Sequence, residues 1–131
     1  MSVIQIKASV FRISQVLFFI VLFSVIMSAV SHADEAIAEK GQKLFQDKGC
    51  VACHSIGKGK ITGPDLLGVT QRRDEEWLKK WLKSPDTMVM TDPVAKELLK
   101  EFLVPMPNQG LNDEEIEVLI EFFEYNDSQK K

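Results

Sequence analysis

The sequence is poor in cysteine, histidine and proline: its 131 residues hold two Cys, two His and five Pro. Two cysteines allow one disulfide, and a bridge between Cys50 and Cys53 would close so short a loop that stapling alone explains them weakly. No segment sustains the alternation of apolar and polar residues that a half-buried strand needs, so an all-α class is expected. There is no internal repeat and no low-complexity tract. Acidic residues are missing from the first 33 positions; all 19 lie at Asp34 or later. What is present is 45% hydrophobic and 27% charged, which argues against a wholly disordered or collagen-like polymer. The length fits one domain.

The acid-free front has its own logic. Lys7 and Arg12 give a positive start, residues 13–30 carry no charge, and Val16 to Val30 is a nearly continuous apolar run. Ser31-His32-Ala33 then places small residues where a signal peptidase reads. Residues 1–33 are therefore expected to be a secretory signal, and residues 34–131 the folded domain. An uncleaved membrane anchor is the alternative, because Ile13 to Val30 is long enough to span a bilayer. Either way the domain is exported, to the periplasm in a bacterium. Without residues 1–33, 14 basic residues face 19 acidic ones, a net charge of −5. An acidic domain is a poor candidate for nucleic acid, and one so small profits from an added apolar body or a covalent staple.

Four amphipathic helices are readable in the domain. The first runs from about Glu35 to Asp47, with Asp34 as a candidate N-cap, Ile37, Gly41, Leu44 and Phe45 on one face, and Gly49 ending it. The second follows Asp74, with Trp77, Leu78, Trp81 and Leu82 at helical spacing, and Ser84-Pro85 stops it. The third has Asp92 as cap and Pro93 at its first position, with Val94, Leu98, Leu99 and Phe102 as its apolar stripe. The last opens on Asn112 and Glu115, close to a capping box, and repeats Ile116, Leu119, Ile120 and Phe123. The tail from Asn126 reads as frayed. Residues 55–73 lack a helical pattern, and a loop that long in a compact domain is usually functional.

The two cysteines carry the chemistry. Cys50-Val51-Ala52-Cys53-His54 has the spacing of a c-type haem attachment site. Positions i, i+3 and i+4 share one face of a helical turn. Two thiols there can add to the two vinyl groups of one porphyrin, and the adjacent imidazole can reach the iron. Zinc would need more ligands, and a thioredoxin-like thiol pair would want a βαβ context. Once His32 is removed with the signal, His54 is the only histidine of the domain. The soft donors left for the iron's other side are Met88, Met90 and Met106. Met106 is favoured, because Pro105 and Pro107 hold Val104 and Met106 in a stiff, non-helical loop. Met88 and Met90 lie in a more polar linker between Pro85 and Pro93.

With these residues, and with Gly41-x-x-Leu44-Phe45, Gly63-Pro64-Asp65-Leu66 and Pro105-Met106-Pro107, the sequence resembles a class I monohaem cytochrome c of bacterial type from about Glu35 to Tyr125. The stretch Gly68-Val69-Thr70 to Trp77, followed by Val104 to Asn108, is more loosely similar to small cytochromes c found near denitrification systems, including nitrous oxide reductase, and near copper-handling proteins. The resemblance implies an all-α fold wrapped around one covalent haem c, with the first and last helices crossing. Gly41 and Phe45 would meet Leu119 and Phe122 or Phe123 there. It implies that the Pro64 carbonyl accepts a hydrogen bond from the ligand histidine. It also implies a propionate partner among Arg72, Arg73, Trp77 and Trp81.

The expected function is one-electron transfer between protein redox partners, without enzyme activity, with His54 and Met106 as iron ligands. A haem enzyme or gas sensor with an open sixth site is one alternative, and a membrane-anchored c-type subunit of a respiratory complex is another. Residues 40–83 carry ten Lys/Arg against five Asp/Glu, whereas residues 84–131 carry four against eleven. The attachment half, with Lys48, Lys58 and Lys60, is therefore expected to dock an acidic partner.

Overall fold

The computed structural model describes residues 35–129, together with Gln15 and Phe18. The expected signal or anchor at 1–33, its His32 and the Asp34 cap thus lie outside the described residues. The chain divides into two compact units, one ending at Glu35 and the other comprising Ala36–Lys131. The second is all-helical among its described residues. Residues 35–47 form α1 and a single 3-10 turn spans Cys50–Ala52. Then come α2 (Val69–Arg72), α3 (Glu75–Lys83), α4 (Pro85–Thr91), α5 (Pro93–Phe102) and α6 (Asp113–Ser128). Among the described residues no helix is long and apolar enough to cross a membrane.

The helix starts follow the sequence signals. Asp74 accepts a hydrogen bond from the Trp77 amide, Asp92 from the Ala95 amide, and Asn112 and Glu115 form the reciprocal capping box. Each satisfies an amide that the first turn leaves without a helical acceptor. On α3 the Glu75–Lys79 and Glu76–Lys80 pairs add i,i+4 support on the exposed side.

Two helices appear where no pattern predicted them. The linker holding Met88 and Met90 is α4: Pro85 occupies its first position, where a missing N–H costs nothing and the fixed φ suits a helix. The other is α2, one turn inside the stretch expected to be loop. Its N-terminus is capped from afar, by the buried carboxylate of Asp127, which accepts from the amides of Gly68 and Thr70 and from the Thr70 hydroxyl. The same contacts correct the expected fraying after Asn126: α6 runs on to Ser128 because Asp127 is tied down.

The core forms where α1 meets α6. Leu119 is fully buried, and Phe45, Ile116, Ile120, Phe122 and Phe123 surround it. Phe45 lies 5.9 Å from Phe122 and 6.2 Å, edge-on, from Phe123, ring centre to ring centre. Gly41 lets the backbones approach: a Cβ there would sit 2.2 Å from Phe122 Cβ. α6 then packs against α2 and α3, α3 against α4, and α4 against α5. The expected Gly41 and Phe45 crossing positions are thus in contact with Phe122 and Phe123.

Replacing Gly41 by Ala sets two effects against each other. Ala gains about 1 kcal/mol of helix propensity, but its methyl collides with a Cβ that no rotamer change can move, and overpacking costs about 1–3 kcal/mol. Gly41→Ala is expected to lower the denaturant midpoint; a midpoint equal to or above that of the parent would show that the helices separate freely.

Candidate haem site

Gly49, with φ of 73°, ends α1 in the left-handed region and turns the chain into the Cys50–Ala52 turn. The His54 amide bonds the Cys50 carbonyl at 2.9 Å and the Cys53 amide bonds the same oxygen at 3.1 Å. This winding puts Cys50, Cys53 and His54 on one wall of a cavity of about 300 Å³. Both thiols are half-buried and free. Burial pushes the Cys50 thiol above its usual pKa.

The His54 ring is oriented by its neighbours. Its Nδ1 donates to the Pro64 carbonyl at 2.9 Å. A carbonyl can only accept, so the proton sits on Nδ1 and the Nε2 lone pair is left free. Burial holds the imidazole below its ordinary pKa, against the opposing pull of the Pro64 bond, which keeps it in the neutral form that a metal needs. Gly63 is a site residue whose role the sequence pattern does not show. A Cβ there would stand 2.6 Å from His54 Cε1 and 3.0 Å from Nδ1, so only glycine lets the loop pass behind the ring. Its signal was its place directly before Pro64.

The other walls come from the helices. Phe45, Leu119 and Phe123 serve both the core and the cavity. α5 supplies Leu98, Leu99 and Phe102 of its predicted apolar stripe, without Val94, and α4 supplies Val89. Met106 lines the cavity from the loop after α5 and packs against the core. Met88 and Met90 do not line it: Val89 faces inward between them, and Met90 is 72% exposed.

All four propionate candidates line the cavity, in distinct states. Arg72 donates from Nη1 to the Leu67 carbonyl at 2.7 Å and from Nη2 to the Asp65 carbonyl at 2.9 Å, bracing the loop. The Arg73 guanidinium lies over the Trp77 ring, which stacks on Trp81 with centres 5.4 Å apart. Trp77 Nε1 is buried and makes no hydrogen bond. Asp92 is its polar neighbour: the Ala95 amide first, and the Trp77 indole after it, hold that carboxylate below its usual pKa.

Charge around the site is more balanced than the sequence tally implies. Lys48 pairs with Glu115 at 2.7 Å, and Lys60 pairs with Glu101 while its ammonium covers the Phe102 ring. Of the three flanking lysines, Lys58 alone makes no ion pair among the described residues.

An apolar cleft with two free thiols, one oriented neutral imidazole and a thioether in its walls defines the chemistry of a c-type haem protein. The sequence model of the cytochrome c family matches residues 38–126, and the chain belongs to that family. A cytochrome c from Rhodothermus marinus superposes with a TM-score of 0.69 at 29% identity, over 74% of this chain and 82% of that one. The cytochrome c domain of a Pseudomonas putida protein gives 0.61 at 38% identity, over 68% and 89%. The cytochrome c oxidase subunit 2 of Alkalihalophilus pseudofirmus is 26% identical over 106 residues, 73% of this chain, and that of Bacillus subtilis is 29% identical over 72 residues, 44% of it. The chain spans 28% and 20% of the lengths of those two proteins. An engineered form of the Rhodothermus protein, solved with a carbene intermediate, is also similar, with a TM-score of 0.64. Membership of the family makes this a haem-based electron-transfer protein and implies a covalently bound haem c.

Gly63→Ala is expected to push the His54 ring away from Pro64 and speed exchange of the Nδ1 proton with solvent, followed by NMR. Exchange as slow as in the parent would mean the ring tolerates the methyl group.

Proposed function

We propose that the chain binds a single haem through Cys50 and Cys53, ligates its iron with His54 and Met106, and passes one electron at a time between protein partners of a respiratory chain. The observation that carries this reading is the gathering of those four side chains, from two segments about fifty residues apart in sequence, onto one apolar cavity. When bound, the haem supplies one-electron exchange between ferric and ferrous iron.

The chain's own residues do the rest. The Pro64 carbonyl fixes the tautomer and angle of His54, so Nε2 is the ligating atom. The Met106 thioether is a soft donor that favours the reduced metal and raises the potential relative to a second histidine. The walls from α1, α3, α5 and α6 exclude water and disfavour the extra positive charge of the oxidised state. The unpartnered Trp77 Nε1, with Arg73 over its ring, suits a propionate oxygen. If His54 and Met106 both ligate the iron, no position would be left for dioxygen or peroxide, which separates the reading from a haem enzyme or sensor. The names of the two oxidase relatives support a respiratory setting. Residues 1–33 fit export to the periplasm, with an uncleaved anchor as the other outcome that N-terminal sequencing distinguishes.

Met106→Ala is expected to retain covalent haem, to bind carbon monoxide readily and to lower the midpoint potential. Met88→Ala and Met90→Ala should also retain the haem, but without carbon monoxide binding or a lowered potential; the reverse pattern, in optical titrations, would reassign the ligand. Docking of an acidic partner on the attachment side predicts association that slows as salt rises. The slope should be shallow, because Glu115 and Glu101 already neutralise Lys48 and Lys60. A stopped-flow rate independent of ionic strength would remove this docking mode.

A further inference from the structure

The loop that carries Pro64 has little of its own to hold it still. Gly57 and Gly59 adopt φ of 76° and 89°, and Ile61 is 57% exposed. Between the Cys50–Ala52 turn and α2 there is no helix or strand whose ladder would satisfy its amides. Yet the His54–Pro64 bond requires the Pro64 oxygen to be placed to a few tenths of an ångström.

The residue next to Pro64 meets that requirement. Both carboxylate oxygens of Asp65 point back into the loop: Oδ1 accepts from the Gly57 amide at 2.8 Å and the Leu67 amide at 2.9 Å, and Oδ2 accepts from the Gly59 amide at 2.6 Å. Its main-chain oxygen accepts from Arg72, and the Gly63 amide on the other side of Pro64 is fixed to the Cys53 carbonyl at 2.8 Å. Pro64 is thus clamped from both flanks. Three charge-assisted bonds from one side chain are strong anchors for backbone that has no helix or strand ladder.

We infer that Asp65 is a positioning residue for the axial histidine: by fixing the loop around Pro64 it sets the strength of the His54 Nδ1–H···O bond, and through that bond the redox potential. The inference rests on the ligation of iron by His54 proposed above. A stronger bond from Nδ1–H makes the imidazole a better donor and stabilises the oxidised metal. Loosening the loop weakens the bond, so the potential rises. The negative charge of Asp65 acts in the same direction through space, and the two contributions have to be separated.

The test uses the mature, haem-loaded protein with Asp65→Ala, Asp65→Asn and Asp65→Glu. The measurements are midpoint potential, visible spectrum, melting temperature and the exchange rate of the His54 Nδ1 proton. Asn keeps one acceptor oxygen without the charge, whereas Glu keeps the charge on a longer stem that cannot reach all three amides together. Positioning predicts that all three variants raise the potential and speed Nδ1 exchange, Ala most, with Glu shifted despite its charge. Glu matching the parent while Ala and Asn shift equally would mean charge alone, and would overturn the inference. So would a lowered melting temperature with unmoved potential and exchange. If Asp65→Ala fails to mature, the comparison of Asn with Glu still decides. A parent protein without His54-ligated haem would sink the underlying reading, and this inference with it; a six-coordinate parent whose variants all keep its potential sinks the inference alone.

Discussion

The close passage of α1 over α6 is the contact on which the rest of the molecule depends. It requires a residue without a side chain at Gly41, because Phe122 fills the space that a Cβ would occupy. The two helices then bring Phe45, Leu119 and Phe123 together, and these side chains face both the core and the cavity. Stability and site are built from the same apolar surface. A domain this small has little apolar surface to supply both separately, and a large flat cofactor on that surface would add to the burial.

Carboxylates and one amide do much of the local construction. Asp74, Asp92 and Asn112 each satisfy the first turn of the helix that follows them, as sequence-adjacent caps. Asp127 and Asp65 do comparable work across distance. The first caps α2 from the far end of α6, and the second gathers three loop amides beside Pro64. Four aspartates of the chain are thus spent on holding backbone in place. The same holds for its cations. Lys48 and Lys60, which a tally by sequence segment assigns to a basic docking face, reach acidic residues on α6 and α5. Arg72 is committed to two loop carbonyls.

Two features of the cavity bear on electron transfer. The histidine is kept neutral and in one tautomer by burial and a single carbonyl. The indole N–H of Trp77 is buried beside the Asp92 carboxylate without a close hydrogen bond. Both are polar features at the edge of an apolar cleft, one suited to a metal and one to an anion.

The sequence by itself determined what depends on neighbours along the chain. The Cys50, Cys53 and His54 spacing, the caps at Asp74, Asp92 and Asn112, the stripes of α1, α3, α5 and α6, and the stiffness around Met106 are local, so periodicity and residue chemistry reveal them. The resemblance to known cytochromes pointed to Pro64. Only the tertiary structure decided the features made by residues far apart. α2 exists because Asp127 comes back to cap it, Val89 rather than Met88 or Met90 faces the cavity because α4 packs between α3 and α5, and Gly63 is needed because the His54 ring lies against it. Lys48 and Lys60 meet Glu115 and Glu101 for the same reason. A charge or a hydrogen-bond donor in a sequence has no partner until folding brings one within about 3 Å, and no pattern of spacing records which partner that is.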